Sequence, residues 1–428
     1  MAETGTAAAA GTREQLAAEL AHWRYAADAL ADLDLVASPD AWAGLEQYLR
    51  VQVRNRLAAI VAALRLEAAR LDAALAEDGD LAVQRGNVLR LRQRYFQAET
   101  ILDFYGDAIA TRSNSRLAPL LRGFDTIATD GLESVLRPLG IDSPPVLVYP
   151  DHGRGAAIVR AGVRLWDRAN PSPAAAIKLT RHNLATPTAL FHETGHQFAH
   201  LTGWTGELGE AMAAVLRRRS AELAEMWRGW ASEVAADVHA FALCGWPPVP
   251  ALANVVDGPT AAVLHVLPGD PHPFPLVRVL FNAALCRAWF GPGPWDVLAR
   301  TWRDRHLDGG AGSAAARLTE LSLDAFADLV DVCTRRPMAA FRGRGLHEVA
   351  DPRRAAPTEL AALAARAGPS LLTSTYLARK EPVRILAWLA GRALADPAHA
   401  RAHWETLRGW VATLDGPQPS ARPRADVA

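Results

Sequence analysis

Cysteine is scarce in this chain: Cys244, Cys286 and Cys333 lie far apart and never in CxxC spacing. Neither a disulfide framework nor a thiolate metal site is expected, and a reducing compartment suits such usage. No segment reaches about 18 uninterrupted apolar residues, and the opening MAETGTAAAAGTREQ lacks a basic stretch followed by an apolar one. The expectation is a cytoplasmic protein with no membrane partner. Net charge is also absent, because Lys plus Arg and Asp plus Glu each total 46. No overall field favours nucleic acid, and the runs LRLRQR and LRRRS read as solvated helix faces.

What is present is a globular composition, half hydrophobic and about a fifth charged, with Ala and Arg used heavily. At 428 residues the chain exceeds one compact core. The patterns divide it into a helical amino-terminal region (1–140), a central core (141–305) and a helical carboxy-terminal region (306–428). Residues 1–12 and the final PQPSARPRADVA, small and polar, are expected to be disordered. Between them, Leu57, Ile60, Val61, Leu64, Leu71 and Leu75 form one three-and-four-step stripe. Val88, Leu91, Tyr95, Ile101, Leu102 and Tyr105 form a second, so a long helical hairpin turns at EDGD. Its expected role is packing, with self-association or a regulatory partner as the functional alternative.

The period shortens after Pro144. Val146–Tyr149, the alternation from Val159 to Leu165 and the alternation around Ile177 and Leu179 predict three strands. The turn clusters between them suggest antiparallel neighbours. Thr186-Pro187 then reads as an N-cap and first helical residue for the segment TALFHETGHQFAHL. Helical patterns follow at about 207–228, 230–244, 275–290 and 295–305. The expected fold is mainly α (α+β), with a small antiparallel sheet packed on the helix at 187–201.

That helix carries HETGH. Four residues advance a helix by little more than one turn, so His192 and His196 share a face and their imidazoles can meet one zinc ion. Glu193 sits beside that face, where a carboxylate can take a proton from an activated water without being a ligand. A third ligand is offered by SEVAADVHAF, in which Glu233 and Asp237 lie one turn apart. Glu233 completes the metal set, and Asp237 suits the free ring N–H of His192. His200 is rotated away from the ligand face and is expected to lie at the surface or behind the ligands, and His239 falls off the face of Glu233 and Asp237 and is expected to be structural. Trp204, Trp227, Trp230 and Trp246, around the ligand helices in sequence, read mainly as core.

HETGH followed by EVAAD, preceded by a strand, resembles the gluzincin metallopeptidases typified by thermolysin. The segment GDPHPFPLVR is similar to a His-Pro and Arg element in type I CAAX prenyl proteases and HtpX-like peptidases. The resemblance implies a zincin-like core with one zinc per chain held by His192, His196 and Glu233. It further implies peptide hydrolysis with Glu193 as general base, and a donor for the oxyanion, with His272 first and Arg278 and Tyr149 after it. A peptide or protein substrate follows from the same resemblance, and the strand AIKLTRHNL is expected to offer its edge to it. Two alternatives stay open: a catalytically silent protein that keeps the fold for binding or regulation, and a zinc hydrolase of a non-peptide amide or ester.

Overall fold

The structure is a computed structural model that describes residues 2–77, 79–151, 157–159, 174–307 and 313–414. Helices dominate. The chain opens with α1 (Ala2–Ala29), the short α2 (Pro39–Ala43), and the hairpin formed by α3 (Gln47–Ala76) and α4 (Leu81–Ala110). The stripe residues Leu57, Ile60, Val61, Leu64, Leu75, Val88, Leu91, Ile101, Leu102 and Tyr105 are all buried, as a 3.6-residue period requires. The expectation of disorder over 1–12 is corrected, because helix begins at Ala2. Alanine has the highest intrinsic helix propensity, and Leu16 and Leu20 bury the same helix against the hairpin. The expected strand residues beyond Val159 and the final PQPSARPRADVA lie outside the described residues.

Next come α5 (Ala118–Leu136) and the strands β1 (Val146–Pro150), β2 (Ala157–Val159) and β3 (Ala175–Leu179). The sheet is mixed and not antiparallel: its order is β1-β3-β2, with β1 parallel to β3 and β2 antiparallel to it. Val148 pairs with Ile177, and Ile158 pairs with Ile177 from the other side. The turn clusters mark where strands stop but not which neighbour each one finds. The segment between β1 and β3 is long enough for the crossover that parallel pairing demands.

Strand alternation sends the two faces of this sheet into two cores. Val146, Val148, Ala175, Ile177 and Leu179 join a large cluster that runs from α5 to Leu414. Leu147, Ala174 and Ala176 join the core of the amino-terminal helices. The sheet is therefore a shared wall, tied further by the Tyr105 hydroxyl, which donates to the Ala174 carbonyl at 2.8 Å. Beneath it the Arg112 guanidinium meets Asp125 at 2.8 Å and donates to the Val148 carbonyl at 2.7 Å, anchoring α5 to β1.

The remaining helices continue with α6 (Ala189–Thr202), α7 (Trp204–Leu216), α8 (Ala221–Gly229), α9 (Ala231–Cys244), α10 (Pro248–Val256) and α11 (Thr260–Val263). Then come α12 (Pro275–Phe290) and α13 (Pro294–Leu307), and a last series from α14 (Ala314–Leu323) to α20 (Ala400–Thr413). The pattern at 207–228 is two helices, because Ser220 starts a new one by accepting from the Leu223 N–H at 3.2 Å. Helix α6 starts two residues later than the Thr186-Pro187 signal, at Ala189. Its residues Leu190, Phe191, Phe198 and Ala199 pack in the same cluster as Val146, Val148 and Ile177, so the sheet does rest on this helix. Trp204, Trp227 and Trp230 are buried there too, as core residues.

Candidate metal centre

Two helices supply the centre, and a glycine lets them approach. Gly195 faces α9 so closely that a Cβ there would lie 2.7 Å from the Ala236 Cα and 2.9 Å from its carbonyl oxygen. With that contact made, the side chains one residue on and three residues back on α6 reach the first turn of α9. The His192 and His196 Nε2 atoms are 3.2 Å apart. The Glu233 carboxylate lies 3.4 Å from His192 Nε2 and 3.3 Å from His196 Nε2. One donor atom from each of these three residues falls within 4.8 Å of the others, so the group can hold a metal ion.

The back of each ring is anchored. His192 Nδ1 lies 2.8 Å from Asp237 Oδ1, and His196 Nδ1 lies 3.3 Å from the Ser232 hydroxyl. Both rings therefore turn Nε2 toward the shared point, the arrangement expected of imidazole ligands held by outer partners. Two imidazole nitrogens and one carboxylate form a donor set suited to zinc and to neighbouring transition ions, and the residues present fit such an ion.

Charge is concentrated here. Burial opposes ionisation of Glu233, yet hydrogen bonds to His192 and His196 and the Arg278 charge hold it well below the usual carboxylate range. Asp237 is buried too, and is held low by Arg278 and His192. For His192 burial works downward, but hydrogen bonds to Asp237 and Glu233 outweigh it and push the ring up to about 10. Glu193, 4% exposed and beside the two rings, is pushed up by burial, with His192 and His196 opposing. A carboxylate raised in this way is a stronger base.

Arg278, expected as a weaker oxyanion donor, lies against the ligand helix with two of its three nitrogens on carboxylates. Its Nε donates to Asp237 Oδ2 at 2.7 Å, and its Nη2 donates to Asp237 Oδ1 at 2.8 Å and to Glu233 Oε2 at 3.0 Å. Tyr149 is removed from the centre by strand alternation: it packs on the amino-terminal helices with its ring 5.8 Å from Phe104. Val146 and Val148 occupy the face of β1 that meets the α6 cluster. His272 does come to the centre, with Nε2 3.6 Å from Glu233 Oε1 and Nδ1 2.7 Å from Asp270 Oδ1. Its side chain is 55% exposed, so it stands at the open side.

His200 is exposed, whereas His239 is fully buried with its ring 5.1 Å from Phe198 and is pushed down to about 3, chiefly by burial. Residues not anticipated are Ser232, Asp270 and Asn282, whose amide donates to Asp237 Oδ2 at 3.0 Å. Ser232 directly precedes Glu233, and Asn282 lies one turn after Arg278 on α12, the only sequence cues to either. The expected substrate strand is also corrected. β3 is paired on both sides, so among the described residues the strand at the sheet edge near α6 is β2. No family model matches the chain, and searches of curated proteins and of solved structures likewise return no match.

Proposed function

We propose that the chain is a zinc-dependent peptidase. The observation that carries the reading is the convergence of His192, His196 and Glu233 within 4.8 Å, with the buried Glu193 carboxylate next to them in the chain. His192, His196 and Glu233 would hold the ion, which when bound supplies Lewis acidity to a carbonyl and to a water molecule.

The chain's own residues do the rest. Glu193 accepts a proton from the attacking water and returns it to the amide nitrogen as the C–N bond breaks. Burial favours this exchange because a desolvated carboxylate gains more from taking the proton. In its doubly protonated form His272, whose Nδ1 donates to Asp270, can also donate from Nε2 to the carbonyl oxygen as charge develops on it. Among the described residues β2 pairs only with β3, and its other side is suited to an extended peptide, whose backbone would add a strand beside α6.

Glu193→Gln is the direct test, because it keeps size and hydrogen bonding but removes the base. Cleavage of a mixed peptide library should fall by about a hundredfold or more while metal content is retained. Undiminished cleavage by a metal-loaded variant would remove the mechanism. Metal binding without cleavage of any peptide by wild type would move the reading to the silent binding protein or to the hydrolase of another amide or ester.

A further inference from the structure

Behind the ligand set lies a permanent cation whose Nε and Nη2 donors are both committed to carboxylates. The guanidinium of Arg278, 8% exposed, forms a two-point fork on Asp237, and Nη2 of that fork also reaches Glu233. Glu233 and Asp237 are one turn apart on α9, so a single planar group on α12 fixes the spacing of the two carboxylates. Asn282 completes the arrangement, donating to Asp237 Oδ2 and to the Arg278 carbonyl, each at 3.0 Å. Asp237 in turn holds His192 Nδ1 at 2.8 Å. Two of the three ligand side chains are thus oriented from one guanidinium, one directly and one through Asp237.

We infer that Arg278 is a positioning residue that assembles the ligand geometry before metal arrives. The inference rests on the metal-site reading above and deepens it. Two carboxylates this deeply buried need a counter-charge, and Arg278 brings a rigid fork together with that charge. A lysine would bring charge without the fork. Its single ammonium could face Asp237 or Glu233, but could not meet both oxygens of one and an oxygen of the other along fixed directions.

The test is metal affinity, measured by competition with a chelating dye using zinc alone, for full-length wild type, Arg278→Lys and Asn282→Ala. Thermal unfolding of the metal-free proteins runs beside it. Arg278→Lys should bind zinc about 10–100-fold more weakly, and Asn282→Ala should weaken binding in the same direction by less. With cobalt in place of zinc, the visible absorption of Arg278→Lys should differ in intensity from wild type, because the ligands no longer hold one geometry. A merely structural role would lower metal-free stability and leave both affinity and spectrum unchanged, and that result overturns the inference. Should Arg278→Lys fail to fold, Asn282→Ala decides, and wild-type affinity in it overturns the inference. Absence of zinc from wild type as well would instead overturn the metal-site reading itself.

Discussion

Gly195→Ala inserts one methyl group between the helices that carry the ligands. The new Cβ would sit 2.7 Å from the Ala236 Cα, 2.9 Å from the Ala236 carbonyl oxygen and 3.1 Å from the His239 Cβ. The first two are backbone atoms and cannot swing aside. Ordinary carbon contacts need about 3.5–4.0 Å, so α6 and α9 must separate locally by about 1 Å. Overpacking of this kind costs about 1–3 kcal/mol. The chemical effect should be larger than the structural one, because metal–ligand distances tolerate only about 0.2 Å of error. His196 follows Gly195 directly, and Glu233 sits on the helix that is pushed away, so zinc affinity should fall by at least about tenfold.

The assay is chelator competition, with thermal unfolding recorded with and without zinc. Gly206→Ala, on α7 with nothing within 4 Å of its Cβ position, is the control, and should leave zinc binding unchanged. If Gly195→Ala binds zinc within about threefold of the control and unfolds at the same temperature, the reasoning from helix approach to ligand geometry is wrong.

His272→Ala should keep its metal yet lower kcat on a peptide library by about a hundredfold, since an oxyanion donor is lost while the ligands stay in place; unchanged kcat would remove His272 from the mechanism. Asp130→Asn tests a pH effect outside the centre. Burial and the nearby Glu133 push Asp130 up to about 7, with Arg137 opposing, so the folded state prefers the protonated carboxyl. The stability this group contributes is therefore complete below the unfolded value near 3.8 and is lost as pH rises through about 7. Asparagine imitates the protonated form, so the variant should be more stable than wild type at pH 8, by about 1–2 kcal/mol after screening, and close to it at pH 4. Equal melting temperatures at pH 8 would contradict the shift.

The residues that could hold a metal ion were legible because helix geometry is local: a four-residue step on α6 and another on α9 fix which side chains share a face. The hairpin of α3 and α4 was legible for the same reason, since its buried stripe repeats at the helical period. What was hidden depends on partners distant in sequence. Arg278 lies 41 residues from Asp237 and 45 from Glu233, and nothing in the segment around it distinguishes a guanidinium aimed at substrate from one locked on carboxylates. Tyr149 was misplaced because its strand was recognised but not which face meets α6; a single-residue step puts it on the other core. The parallel pairing of β1 with β3 was hidden by the same locality, as turn residues punctuate strands without naming their neighbours.

Zinc stoichiometry on purified wild type and His196→Ala tests the central assignment most directly. One zinc per chain in wild type, and its loss in the variant with the helical content intact, is the expected result. A folded wild type that takes up no zinc, or a His196→Ala protein that binds it as tightly as wild type, would contradict the metal centre at His192, His196 and Glu233.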